Sequence, residues 1–111
     1  MKLTEIIGSA TAISPIKGQI AYDYVANLLS NASYITISFD GISDCTSAFC
    51  NSFVGKLYMN FDPQLVDSLI TFEDLDFDGI WNKKITNARL LGTNENVRLN
   101  RCLNIENLIL Y

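Results

Sequence analysis

The chain has 111 residues, of which 49% are hydrophobic and 18% charged, a composition typical of one compact globular domain over residues 1–111. Its formal net charge of −4 argues against a nucleic-acid binder, which needs a basic face, and the absence of histidine excludes histidine-based triads and histidine metal sites within this chain. No apolar run approaches the ~20 residues of a membrane span, and no signal-type run stands at the start. We therefore expect a cytoplasmic protein without membrane contacts.

The N-terminal third of the chain predicts a strand, a loop and a helix. Residues 2–7 alternate weakly between apolar and polar side chains, which indicates a first strand. Residues 8–13 are small and polar, typical of a loop or a short second strand. Ser14 followed by Pro15 predicts a helix start, because the serine can accept a free backbone N–H and proline has none to lose. The helix should end at Ser30-Asn31, and its apolar stripe consists of Ile20, Ala21, Tyr24, Val25 and Leu28.

The middle third contains the clearest strand, over residues 34–39, in which apolar and polar side chains alternate strictly. Asp40-Gly41 then marks a turn. A second helix is predicted from about Thr46 to Met59, capped by Thr46 or Ser47. Its core stripe is Phe49, Cys50, Phe53, Val54 and Leu57. Pro63 stops this helix, since proline removes a donor and restricts the preceding residue.

The last third predicts a strand near Ser68–Phe72, a helix from about Phe77 to Leu91 that Gly92 terminates, and an apolar tail over residues 97–111. The tail should be a short strand or helix that closes the domain. The resulting β-α-β-α-β-α order plus tail predicts an α/β fold, in which helices pack on a mixed, largely parallel sheet.

The acidic residues are concentrated in residues 62–78, which hold six acids and no base. This segment is either a solvated edge or a docking surface for a basic partner. Asp74, Asp76, Asp78 and Gly79 copy half of a calcium loop, but Ile85 stands where the final bidentate glutamate should be. We therefore predict no metal site, and expect Asp76 to cap the third helix instead.

The three cysteines are Cys45, Cys50 and Cys102, an odd number with no common zinc spacing. We expect them to be free thiols packed as small hydrophobic residues. A redox or metal role is the alternative. If the chain were an enzyme, its best nucleophile would be Cys45, because a nearby helix start can depress a thiol pKa.

The turn before the second helix is the strongest candidate site. Ser43, Asp44, Thr46 and Ser47 lie between the best strand and a helix start. Backbone N–H groups at a helix start can hold an anion, and a phosphorylated hydroxyl there would add roughly −1.5 to −2 charges. The alternative is that these hydroxyls only cap the helix.

Residues 35–57 resemble the centre of the STAS-like bacterial family of unknown function. That family shows a strand ending in Asp-Phe-x-Gly-Val and a helix beginning Ser-Phe-Ala-Asp-Glu-Leu. Here the strand ends Ser38-Phe39-Asp40-Gly41-Ile42, and the helix begins Ala48-Phe49-Cys50-Asn51-Ser52-Phe53. Ser14 falls where the family begins the preceding helix with serine and arginine, although the arginine is absent. The resemblance extends in order from Ser14 to Leu91.

The STAS-like family is similar to the anti-sigma-factor antagonist domains called STAS domains. Their serine at the same turn is phosphorylated by a partner kinase with a histidine-kinase-like ATP site, and phosphorylation releases the partner. Aligning Gly41-Ile42-Ser43 with that motif puts Ser47 at the phosphorylated serine and Thr46 at the aspartate before it. Aligning on Phe49 instead puts the family serine at Ala48, which cannot be phosphorylated.

The resemblance implies a non-enzymatic regulatory domain that binds a signalling protein such as a histidine-kinase-like ATPase, with no cofactor. The predicted partner-binding and regulatory residues are Asp40, Gly41, Ser43, Asp44, Thr46, Ser47 and Asn51, and Ser47 is the candidate phosphosite. The alternative is a small-ligand or nucleotide-binding module that uses the same helix N-terminus and has a concave pocket there.

Overall fold

The computed structural model describes residues 1–76 and 79–109, with side chains through residue 98. Its elements, in chain order, are α1 (Leu3–Ile7), β1 (Thr11–Ala12), α2 (Pro15–Ser30), β2 (Ile35–Ser38), β3 (Asp44–Cys45), α3 (Ser47–Cys50), a π-helical turn (Asn51–Gly55), α4 (Lys56–Asn60), α5 (Pro63–Leu69), β4 (Ile70–Glu73) and α6 (Ile80–Ile109). The segment from α3 through the π-helical turn to α4 is unbroken, and we call it the central helix. The predicted mixed α/β class is confirmed, although helices predominate.

The strands form two small parallel pairs. β2 pairs with β4, from Ile35 opposite Ile70 to Ser38 opposite Glu73. β1 pairs with β3, so that Ala12 lies opposite Cys45. Parallel neighbours require a crossover connection, and helices supply it in both pairs. The parallel pairing agrees with the prediction, whereas the described strands form two sheets rather than one.

The predicted first strand is wrong, because residues 3–7 form the short helix α1. Leu3 and Ile7 are four residues apart and both buried, so the apolar spacing follows a helical period. Gly8 ends the helix in the left-handed region, with φ of 67°, and its N–H donates to the Thr4 carbonyl. Only Lys2 retains strand character, in an isolated parallel bridge to Ser38.

The C-terminal part departs most from the prediction. After the central helix, Asp62 accepts a hydrogen bond from the Gln64 N–H and caps α5, a helix that the sequence analysis missed. The strand near Ser68–Phe72 is present as β4, shifted by two residues at its start. The predicted start of the last helix at Phe77 lies outside the described residues.

Gly92 does not end the last helix, which continues through it to Ile109 and includes most of the predicted closing tail. The reason is a close helix contact. A Cβ atom added at Gly92 would overlap the Gly55 carbonyl oxygen and lie 3.1 Å from the Tyr58 Cβ. The glycine is therefore needed for packing against the central helix, not for a left-handed turn.

The core surrounds the central helix, whose predicted stripe is entirely buried. The stripe predicted on α2 is correct only in part. Ala21 and Val25 are buried, but Ile20 and Tyr24 are exposed, while Gly18 takes a buried place. A Cβ atom at Gly18 would lie 2.7 Å from the Phe49 carbonyl oxygen, so the small-residue face of α2 packs against the central helix.

Candidate functional site

The turn after β2 holds the first two predicted site residues at the surface. Gly41 has φ of 85°, a conformation that L side chains rarely adopt, and this allows the chain to reverse. The Asp40 N–H donates to the Ser38 hydroxyl over 3.1 Å, and the Asp40 carboxylate lies 3.3 Å from the Lys2 ammonium. The turn is thus fixed by local contacts, while its Asp40 side chain stays largely in solvent.

Ser43 and Asp44 are exposed and attached to the loop before β1. The Ser43 N–H and hydroxyl both donate to the Ala10 carbonyl, at 2.8 and 3.3 Å. The Asp44 carboxylate accepts from the Cys45 N–H at 2.8 Å. Their backbone is therefore held in place, and the Asp44 carboxylate keeps an oxygen facing solvent.

Thr46 and Ser47 have different roles at the start of the central helix. The Thr46 hydroxyl accepts from the Phe49 N–H at 3.2 Å, which makes Thr46 the N-cap, and donates to the Ile13 carbonyl at 2.6 Å. Ser47 is the exposed first residue of the helix, and its hydroxyl makes no hydrogen bond within the described part of the chain. The capping expectation is thereby met by Thr46, which leaves the Ser47 hydroxyl available.

Asn51 lies one turn along the same helix, apart from the other predicted residues. It opens the π-helical turn and lines a groove of about 310 Å³ between the central helix and α6. The other lining residues are Gly55, Lys56, Met59, Leu91, Gly92 and Glu95. Of the predicted site residues, only Asn51 borders this groove, which therefore lies beyond the helix start at which a pocket was predicted.

Cys45 and Cys50 are free and buried as expected, with 0% and 1% of their surface exposed, whereas the side chain of Cys102 lies outside the described residues. Their Sγ atoms are 3.4 Å apart. The Lys84 ammonium donates to the Cys45 carbonyl at 2.8 Å. In the part of the chain that the structure describes, no group of three or more acidic or cysteine side chains could hold a metal.

The acids of residues 62–76 mostly have structural partners. Asp76 accepts from the N–H groups of Ile80 and Trp81 and so caps α6, as predicted. Asp74 accepts from the Ser38 hydroxyl at 2.5 Å. Asp78 of the calcium-like motif lies outside the described residues. The acidic segment therefore contains helix caps and local contacts, in addition to its exposed charge.

A surface that the sequence analysis missed adjoins the helix start. Four large apolar residues are exposed along and just before α2, namely Ile13, Ile16, Ile20 and Tyr24, and Ile16 is 75% exposed. The last three recur every four residues, so they share one helical face. The hydrogen bond from Thr46 to the Ile13 carbonyl joins the turn to the segment that precedes α2. The sequence analysis assigned Ile20 and Tyr24 to the core stripe and did not assign Ile16.

These features define a small α/β domain in which parallel strands lead, through an exposed polar turn, into a helix that runs through the core. The STAS-like domain of unknown function (DUF4325) matches residues 17–80, from the start of α2 to the start of α6 and including every predicted site residue. The chain belongs to this STAS-like family. No curated protein and no solved structure matches it. Within the described residues, no helix is both long and apolar enough to cross a bilayer.

Proposed function

We propose that this protein is a non-enzymatic interaction domain that binds a signalling protein through the start of the central helix. The observation that carries the proposal is that an exposed polar turn and an exposed apolar face of α2 occur in segments joined by the hydrogen bond from Thr46 to the Ile13 carbonyl. Exposed apolar patches rimmed by polar residues mark protein interaction sites. We call this combined surface the turn face, which consists of Ile13, Ile16, Ile20, Tyr24, Ser43, Asp44 and Ser47.

The two parts of the turn face contribute different things to binding. Burial of apolar side chains such as Ile16 removes apolar surface from water and so favours association. The polar groups at Ser43, Asp44 and Ser47 supply orientation and partner choice. Following the similarity to STAS domains, the partner we propose is a histidine-kinase-like ATPase or another signalling subunit.

Ser47 is the residue at which phosphorylation would act. Its exposed hydroxyl is not used for capping, so a kinase can modify it without breaking the Thr46 cap. A phosphate there gains from the positive helix end, yet adds roughly −1.5 to −2 charges beside Asp44. The added charge would oppose removal of the turn from water in the interface and so release the partner.

The absence of an enzymatic role is also part of the proposal. The best nucleophile that the sequence offered, Cys45, is completely buried, so a substrate much larger than water cannot reach its sulfur in the folded protein. Failure of iodoacetamide to label Cys45 in the folded protein would support this assignment. Rapid labelling would contradict it.

The binding experiment compares three variants of the full chain. The protein is used to capture its partner from source cells, the partner is purified, and affinities are measured by calorimetry. Ile16→Asp and Ser47→Glu should each weaken binding roughly tenfold or more, as expected at the centre of an interface. Ile16 is exposed in the first turn of α2, where an aspartate interacts favourably with the helix dipole, so we expect this variant to stay folded.

Gln64→Glu is the matched control for Ser47→Glu. It adds the same charge to an exposed position on α5. This helix follows the C-terminal end of the central helix, and that end is about 20 Å from the N-terminal end at Ser47. The control should bind like the unmodified protein. Equal affinities for Ser47→Glu and Gln64→Glu would refute the proposed surface.

A small-ligand module is the second candidate, and the groove between the central helix and α6 favours it. Its volume of about 310 Å³ is at the lower end of ligand-binding cavities. A ligand bound there would stabilise the fold and raise the melting temperature. A thermal-shift screen with nucleotides tests this candidate, and an unchanged melting temperature with all of them would count against it.

A further inference from the structure

A pair of thiols meets directly beneath the turn face. Cys45 ends β3 and Cys50 ends α3, and both are sealed in the core. The 3.4 Å between their Sγ atoms is about 1.4 Å longer than a disulfide bond. The sulfurs are therefore already in contact, and a bond requires them to approach by that further distance.

The two thiols differ in their surroundings. The hydrogen bond between the two sulfurs lowers the pKa of Cys45, and the Lys84 ammonium lowers it further, against the opposing effects of burial and of Asp44 and Asp76. The same hydrogen bond and burial raise the pKa of Cys50. Cys45 is thus the sulfur that more readily becomes a thiolate, whereas Cys50 retains its proton.

We propose that Cys45 and Cys50 form an oxidation site, at which hydrogen peroxide converts the two thiols into an intramolecular disulfide. The Cys45 thiolate attacks one peroxide oxygen, the O–O bond breaks, and the displaced hydroxide takes up a proton to leave as water. The Cys50 sulfur then gives up its proton and attacks the Cys45 sulfenic acid, and the S–O bond breaks to release a second water. Two electrons pass from the thiols to the peroxide.

Peroxide is the oxidant suited to this site. The site is buried, so a large disulfide reagent would need extensive opening, whereas a molecule of nearly water size needs only local fluctuation. The contact between the sulfurs also places the resolving thiol beside the first oxidation product. The inference stands independently of the proposed partner, since it concerns only the chemistry of this pair.

The test uses the full chain with Cys102→Ser, which leaves Cys45 and Cys50 as the only thiols. The folded protein is treated with hydrogen peroxide, denatured and alkylated with N-ethylmaleimide, and its intact mass and peptides are measured. We expect both thiols to disappear together, with an internal disulfide between positions 45 and 50 in one peptide, which gains two hydrogens when dithiothreitol reduces it. Adding Cys50→Ala should instead leave a sulfenic acid at Cys45 that dimedone traps.

Two results would overturn the inference. The first is that both thiols remain alkylatable at a peroxide dose that oxidises free cysteine in the same tube. The second is that the cross-link forms in urea but not in the folded protein, which would show that native contact does not direct it. If the Cys50→Ala variant fails to fold, the two measurements on the protein that carries only Cys102→Ser still test the inference.

Discussion

Gly92 provides the sharpest test of how the last helix packs. α6 passes the π-helical turn at this residue, where a Cβ atom would overlap the Gly55 carbonyl oxygen. The same atom would lie 3.0 Å from the Gly55 carbonyl carbon and 3.1 Å from the Tyr58 Cβ, closer than the ~3.5–4.0 Å of ordinary carbon contacts. Because the main obstacle is backbone, no side-chain rotation can relieve it, and the helices must separate.

Gly92→Ala should therefore destabilise the protein despite a better helix propensity. Overpacking of a core costs about 1–3 kcal/mol, and a backbone clash belongs at the upper end of that range. Alanine regains about 1 kcal/mol over glycine in a helix. The net loss in the free energy of unfolding should be about 2 kcal/mol, which corresponds to a fall in the melting temperature of about 10 °C.

Urea and thermal denaturation followed by circular dichroism measure this loss. Asn94→Ala is the matched control, since it makes the same kind of propensity gain at an exposed position two residues further along α6. It should change stability by no more than about 0.5 kcal/mol. Gly92→Asn separates the packing role from a helix-ending role, because asparagine tolerates the left-handed region but is too large for the contact. Unchanged stability of Gly92→Ala or Gly92→Asn would refute the contact.

Two further predictions concern contacts of the central helix. Thr46→Val keeps the shape of the side chain but loses the N-cap and the hydrogen bond to Ile13, so denaturation should show a loss of about 2 kcal/mol that Thr46→Ser largely restores. Burial and the hydrogen bond to the Asp67 carboxylate raise the pKa of Tyr58 from 10.0 to about 12. The Tyr58 proton is thus held more tightly in the folded state than in the unfolded state. The resulting contribution to the free energy of unfolding is complete below pH 10 and is lost as pH rises toward 12. Urea denaturation at both limits should show a smaller alkaline loss for Tyr58→Phe, and equal losses would contradict the assignment.

The sequence predicted the elements that obey one clear local rule. Ser14-Pro15 marks the start of α2, and the alternation before Asp40 marks β2, because capping and strand periodicity act within a few residues. The core face of the central helix was also predictable from its period. The π-helical turn was not, since no local signature in the sequence marks it; it ends at Gly55, whose carbonyl oxygen lies against Gly92 of α6.

The errors arose where distant parts of the chain decide the outcome. Leu3, Ile6 and Ile7 fit a strand or a helix about equally well, and the burial of Leu3 and Ile7 together favoured the helix. Glycine is a common helix terminator, but Gly92 lies inside α6, where the absence of a side chain allows contact with the Gly55 backbone. The local sequence around Gly92 does not indicate which helix packs against it, or how closely.

The same limitation explains why the apolar part of the turn face was assigned to the core. Ile20 and Tyr24 have the spacing of a buried stripe, but Gly18, Ala21 and Val25 form the buried side of α2, and Gly18 packs against the central helix. A rotation of about 100° per residue is enough to exchange a buried stripe for an exposed one. A glycine that permits close packing marks the buried side of a helix, and the opposite side is then exposed to a binding partner. Prediction of a binding surface from apolar periodicity therefore also requires the positions of small residues.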